Sequence, residues 1–333
     1  MSKFQPFSLE ELMLRKFPES RWLVEGLIPE AGITAISGTP ASFKTWVHLF
    51  LARSVASGLP LFEKFPVKHT GVLIIDEENG ERELQQRFKV IDHEPLLPIY
   101  MQSLTGFKLL EKTTTELLVH CAEKEIGLVI FDSLVRINAG GDENDALKMA
   151  TVFQAMKRLT VEGITVVFIH HNRKPSNFRR GTLSFDMRGS SDILAAVDCH
   201  IAIERDHEAN TLTLNQTKLR SAEELKPFTV SIIKGEVLEL VYGAEVNLQT
   251  NKQEEAIEVL TDLLGAAETP LTQSDIQELL IENGLSIGQK ALRNALTSLV
   301  EAGSIAVTVG TRGKKLFSVA EKPGEVALSR DDQ

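Results

Sequence analysis

Between residues 31 and 242 the chain alternates short apolar runs with stretches of helical periodicity. The runs lie at 32–37, 72–75, 99–101, 128–131, 165–169 and 200–203, and helical patterns follow several of them, at 44–57, 81–90, 113–123, 145–162 and 190–197. Strands without polar alternation are buried on both faces, and strand–helix repetition supplies the cover. The pattern therefore predicts an α/β fold, a mainly parallel sheet with helices on both faces. Residues 212–215 and 229–233 read as hairpin-like strands at the sheet edge. Ahead of this domain, residues 1–30 form a lead-in, with an amphipathic stretch at 9–17 and strand-like runs at 22–24 and 27–29.

A polar segment at 243–253 is predicted to be a linker. Beyond it come helical patterns at 254–264, 272–282 and 287–302, then strand patterns at 304–309 and 315–319 around a Gly310–Gly313 turn. Thr272 with Asp275 marks a helix start. Three helices closed by a hairpin within 254–320 predict a small C-terminal winged helix-turn-helix domain, followed by a polar tail at 321–333.

Composition narrows the class. The 333 residues suffice for one large and one small domain, and 43% hydrophobic with 25% charged residues is an ordinary globular balance. The apolar runs are too short to span a bilayer and no secretory pattern opens the chain, so no membrane partner is expected. Cys121 and Cys199 form no pair motif, which points to buried thiols and a reducing, cytoplasmic setting. A net charge of −10 argues against wholesale coating of nucleic acid, while leaving room for a local basic surface.

The candidate chemistry begins with Gly38-Thr39-Pro40-Ala41-Ser42-Phe43-Lys44-Thr45, followed by Trp46, between an apolar run and a helix. This is a phosphate-binding loop. Backbone N–H groups wrap a phosphate, Lys44 reaches the β- and γ-phosphates, and the Thr45 hydroxyl binds Mg²⁺. Phe43 departs from the pattern, standing where a second glycine is expected. The run 128–131 ends in Asp132, a carboxylate for the Mg²⁺ shell, and the run 72–75 ends in Asp76-Glu77-Glu78, acids able to orient an attacking water. A third run ends in His170-His171-Asn172-Arg173-Lys174. Adjacent strand residues face opposite ways, which disfavours a paired-histidine metal site.

In this order and spacing, the motifs resemble the RecA-like P-loop ATPases of the plasmid RepA replicative-helicase type (AAA_25 domain), more distantly related to the DnaB and RadA motors. The resemblance covers residues 20–242, and Arg82, Arg87, the acidic run 142–145, the 188–191 segment and Lys218-Leu219-Arg220 extend it. It implies that Glu78 polarises water, with Glu77 as the fallback, that Asp132 is the second acidic motif and that His171 is the polar sensor. Lys218 and Arg220 resemble the basic pair that reaches the γ-phosphate of an adjacent subunit.

The implied protein is a homo-hexamer hydrolysing Mg-ATP, a DNA-dependent helicase or translocase with single-stranded DNA in a central channel. Arg179 and Arg180, in a stretch containing Phe178 and Phe185, suit that channel. Lys290 and Arg293 on the third C-terminal helix, with Arg312, Lys314 and Lys315 on the wing, suit duplex DNA. The alternative is an ATP-dependent DNA-binding regulator without unwinding activity. A P-loop kinase is disfavoured, because no acceptor lid is evident and Lys218 and Arg220 would have no role.

Overall fold

The protein is described by a computed structural model covering residues 6–16, 21–91, 96–139, 146–171, 191–246, 248–267, 269–283, 287–310 and 313–319. In chain order the first elements are α1 (Leu9–Leu14), β1 (Trp22–Val24), β2 (Ile28–Pro29), β3 (Ile33–Gly38), α2 (Lys44–Ser57), β4 (Gly71–Asp76) and α3 (Glu81–Val90). Then come β5 (Ile99–Ser103), α4 (Glu111–Glu123), β6 (Ile126–Asp132), α5 (Leu134–Ile137), α6 (Ala146–Val161), β7 (Thr165–His171) and α7 (Ser191–Ala196). The strands β8 (Cys199–Asp206), β9 (Thr211–Leu219), β10 (Phe228–Lys234) and β11 (Leu238–Glu245) close the large unit.

Among the described residues β3 to β11 form one nine-stranded sheet in the order β11-β10-β9-β8-β3-β7-β6-β4-β5, and β1 and β2 pair separately. The six strands from β8 to β5 pair in parallel, whereas β9, β10 and β11 extend the sheet antiparallel. Every residue of β3 and β4 is buried. Alternate residues nonetheless serve different faces. Val72, Ile74, Leu128 and Ile130 join the apolar layer that also holds Val47, Leu51 and Leu84, from α2 and α3. Leu73, Ile75, Val129 and Phe131 join the opposite layer, with Leu117, Met156 and Leu159 of α4 and α6. Two such layers are what makes these runs wholly apolar.

Three expectations change. The stretch 9–17 yields only the six-residue α1, opened by a Ser8–Glu11 capping box and with none of its residues buried. The strand β11 was not expected, although Leu238 and Leu240 are buried on either side of exposed Glu239. The segment 243–253 is not a plain linker, since it carries the end of β11 and the start of the next helix at Leu248. Gln, Lys and Glu are good helix formers, so a polar run does not by itself exclude a helix.

The second unit contains α8 (Leu248–Ala266), β12 (Leu271–Thr272), α9 (Gln273–Glu282), α10 (Gln289–Glu301), β13 (Ile305–Val309) and β14 (Lys315–Val319). Its three strands are antiparallel in the order β12-β14-β13. Leu260, Leu264, Ile276, Leu280, Leu292, Leu296 and Phe317 form its own core. A Thr272–Asp275 capping box opens α9.

Candidate nucleotide site

Parallel strands deliver their C-terminal ends to one edge of the sheet, where β3, β4, β6 and β7 bring the candidate residues together. Gly38 stands opposite His171 of β7 and Ile203 of β8. Glycine is required there by close approach, because a Cβ would lie 2.5 Å from Ser42 Oγ and 2.6 Å from the Ile203 carbonyl oxygen. The loop then turns through Ala41 and Phe43, both with positive φ, into α2. Phe43 is the N-cap, and no side chain caps this helix start. The first amides of α2 are thereby left to an anion. Lys44 Nζ folds onto the loop, donating to the carbonyls of Gly38 (2.9 Å) and Thr39 (2.6 Å) and to Ser42 Oγ (3.3 Å). Burial lowers the Lys44 pKa to about 8, against the pull of Asp132 and Glu78. This is an ammonium held in place and short of a counter-charge.

Phe43 explains how the loop dispenses with its second glycine. Its φ is +73°, a conformation glycine adopts freely and a phenylalanine adopts at a cost of about 1 kcal/mol or more. Its ring stacks on Trp46 with centroids 5.7 Å apart, and the Arg205 guanidinium lies 4.5 Å from its centroid. Arg87 in turn covers the Trp46 ring at 5.7 Å. Contacts of this kind contribute roughly 0.5–1.5 kcal/mol each, enough to offset the backbone term.

The acids divide into three roles. Asp132, at the end of β6, lies 3.4 Å from Thr45 Oγ1 and is almost fully buried. Burial, with Asp76 and Glu78 nearby, raises its pKa to about 8, despite Lys44. A carboxylate this destabilised calls for a cation, and with the Thr45 hydroxyl beside it the donor pair suits Mg²⁺. Glu78 is anchored through Oε1, which accepts from Ser133 Oγ (2.5 Å) and lies 3.6 Å from His171 Nε2 and 3.9 Å from Arg136 Nε. Its pKa falls to about 2, chiefly through His171 and then Ser133, against partial burial. Glu77 corrects an expectation: its carboxylate turns away to accept from the amides of Thr105, Gly106 and Phe107, so it ties down the turn after β5.

Two participants, His48 and Arg136, went unnoticed in the sequence, and Asp76 takes a different part from the water-orienting one considered for it. His48, one turn beyond Lys44 on α2, is fully buried with Nδ1 3.7 Å from Asp132 Oδ2, and burial depresses its pKa to about 3. The i, i+4 spacing from Lys44 was the available signal. Asp76 accepts from the amides of Glu78 and Asn79, a local cap that shapes the turn after β4. Arg136 reaches Glu78 from α5, and nothing in its sequence surroundings marked it.

Other candidates fall elsewhere. Lys218 and Arg220 stand at the opposite end of the sheet: Leu219 pairs with Cys199, which pairs with Thr34 near the start of β3. Lys218 donates to the carbonyls of Leu194 and Ala195, and Arg220 pairs with Asp198 at 2.9 Å. Within one chain neither reaches the phosphate loop. In the small unit Lys290, Arg293, Lys314 and Lys315 are exposed. Arg179, Arg180 and Arg312 lie outside the described residues, as do residues 142–145, 172–174 and 188–190.

With this geometry established, comparison with known proteins gives three findings. Residues 2–177 match the family model AAA_25, described as an AAA domain. No curated protein matches the chain. Among solved structures, a DnaB-like replicative helicase, described with its interactions with primase, superposes with a TM-score of 0.52 at 14% identity, over 63% of this chain. The match spans 57% of that structure's length, and at this identity it speaks to the fold, which is RecA-like. No described helix is long and apolar enough to cross a membrane.

Proposed function

The chain belongs to the AAA_25 family of AAA domains, P-loop ATPases of RecA-like fold, and from that premise we propose that it hydrolyses Mg-ATP as an oligomeric DNA motor. The observation that carries this reading is the meeting of Lys44, the Thr45–Asp132 pair and the Glu78–His171 pair at one end of one sheet. The uncapped start of α2 and Lys44 would hold the β- and γ-phosphates. Thr45 and Asp132 would hold Mg²⁺, which neutralises phosphate charge when bound. The rest of the 38–45 loop, with Trp46 after it, would complete the cradle.

Glu78 would position the attacking water. A carboxylate with a pKa of about 2 is a weak base, so its contribution is orientation and polarisation rather than early removal of the proton. His171, 3.6 Å from Glu78, would register whether a γ-phosphate is present. Lys218 and Arg220 would act on the nucleotide of a neighbouring copy, as a guanidinium delivered in trans does in related chemistry. A hexamer with single-stranded DNA in its channel and a duplex-binding winged helix formed by residues 254–320 is the assembly this reading favours.

The deciding experiment measures ATP turnover without DNA, with single strands and with duplex, alongside particle mass with and without nucleotide. Turnover stimulated several-fold by single strands, in a particle larger than a monomer, is expected. Negligible turnover combined with nucleotide-dependent duplex binding would instead establish an ATP-dependent regulator.

A further inference from the structure

His48, Asp76 and Asp132 are all buried, and one ligand atom from each lies within 4.8 Å of the others. Acidic clusters are common without a bound ion. His48 sets this one apart: its side chain is wholly buried, and neither ring nitrogen has a hydrogen-bond partner among the described residues. A buried, unpaired polar group is costly and rare, and a missing ion is one of its standard explanations.

The spacing supports an ion over a shared proton. Nδ1 of His48 lies 3.7 Å from Asp132 Oδ2, too far for a hydrogen bond. Two donors bound at about 2.1 Å to one cation stand roughly 3–4 Å apart. Asp76 uses Oδ1 for the amides of Glu78 and Asn79, while Oδ2 accepts only the Asn79 amide group and keeps a lone pair.

We infer that His48, Asp76 and Asp132 form a binding site for a divalent first-row transition ion, occupied without nucleotide. Magnesium prefers an all-oxygen shell, whereas one imidazole with two carboxylates suits ions from manganese to zinc. The site goes beyond ATP hydrolysis and shares only Asp132 with the proposed Mg²⁺ position. It would keep the α2–β4–β6 junction neutral and ordered between turnovers, when no Mg-ATP is there to balance the two acids.

The test titrates the nucleotide-free, chelator-treated full chain with Co²⁺ and follows its visible absorption bands. One equivalent should bind at least about tenfold more tightly than Mg²⁺. His48→Asn should weaken that binding by about tenfold or more, the scale on which shell residues act. His48→Leu should abolish the bands, and replacing an unpartnered imidazole by an apolar group should leave the chelator-treated fold intact. Lys44→Ala should lose nucleotide binding yet keep cobalt, which separates failure of the metal site from failure of the nucleotide reading. Anomalous diffraction at the cobalt edge should place the ion between the three side chains, independently of any variant. Equal affinity for Co²⁺ and Mg²⁺, cobalt binding untouched by either His48 variant, or an anomalous peak elsewhere would each overturn the inference.

Discussion

The two ends of the parallel sheet are built on opposite principles. At the N-terminal end of β3, Asp198 takes the Ile33 amide on one oxygen and Arg220 on the other, and Arg220 also donates to the Ala195 carbonyl. Asp198 and Arg220 there are each other's counter-charge, while Lys218 rests on the Leu194 and Ala195 carbonyls. At the C-terminal end, a buried Lys44 rests on neutral carbonyls, Asp132 is crowded by Asp76 and Glu78, His48 has no hydrogen-bond partner among the described residues, and Phe43 holds a positive φ. The first end is arranged for stability. The second carries unsatisfied charge and backbone strain, as expected where a ligand completes the arrangement. Substitutions at the two ends should therefore fail in different assays.

The largest effect should come from uniting the ends across a subunit contact. Glu78→Gln and Arg220→Ala should each cut turnover by about 10³-fold while retaining ATP binding. Arg220→Ala should also lower the melting temperature, since it breaks the satisfied pair with Asp198. Mixed together, the two inactive proteins should recover partial activity, because some interfaces would join an intact Glu78 to an intact Arg220. If subunits exchange and every mixture stays inactive, Arg220 belongs wholly to the stability end.

Lys44→Ala should follow, lowering nucleotide affinity by roughly a hundredfold through loss of charge-assisted bonds. Its melting temperature without nucleotide should not fall, since among the described residues the ammonium has no carboxylate partner at hydrogen-bond distance. Wild-type affinity in a titration with a fluorescent nucleotide would remove the phosphate-loop assignment.

Between the ends lies His200, wedged between Ser37 Oγ (2.8 Å) and Thr217 Oγ1 (2.5 Å), with burial lowering its pKa to about 4. As pH falls below about 6.5 the unfolded chain takes up this proton first. The stabilisation is therefore complete above that pH and is lost progressively down to about 4. The slope is about 1.4 kcal/mol per pH unit for one proton, and His48 adds to it with the same sign. Urea midpoints for His200→Gln should show a shallower dependence across that window. An unchanged slope would mean that the ring is already protonated in the folded protein.

The smallest effect should come from Phe43→Gly. The substitution relieves the positive φ but removes the Trp46 stack and the Arg205 contact, and opposing terms of about 1 kcal/mol should leave stability nearly unchanged. What should change is order: protease cleavage within 39–43 should become faster. A resistant loop in the glycine variant would show that the aromatic stack does not hold it.

The sequence by itself determined the sheet class, the phosphate loop and the strand-end acids, because each is a local pattern. Apolar runs report burial on both faces, and the 38–45 spacing reports a turn into a helix. Among the three acids at the end of β4 the residues alone left the choice open, and in the structure the Glu77 carboxylate is occupied by the 105–107 turn. Only the tertiary structure decided the rest. Ser133 and Arg136 at α5 and His171 on β7 meet on Glu78, and His48 faces Asp132 across 84 residues of chain. Whether Phe43 could replace a glycine depended on Arg205, more than 160 residues away. Pairings this distant in sequence leave no periodic trace in either partner, and their electrostatics arise from burial, which the assembled sheet creates.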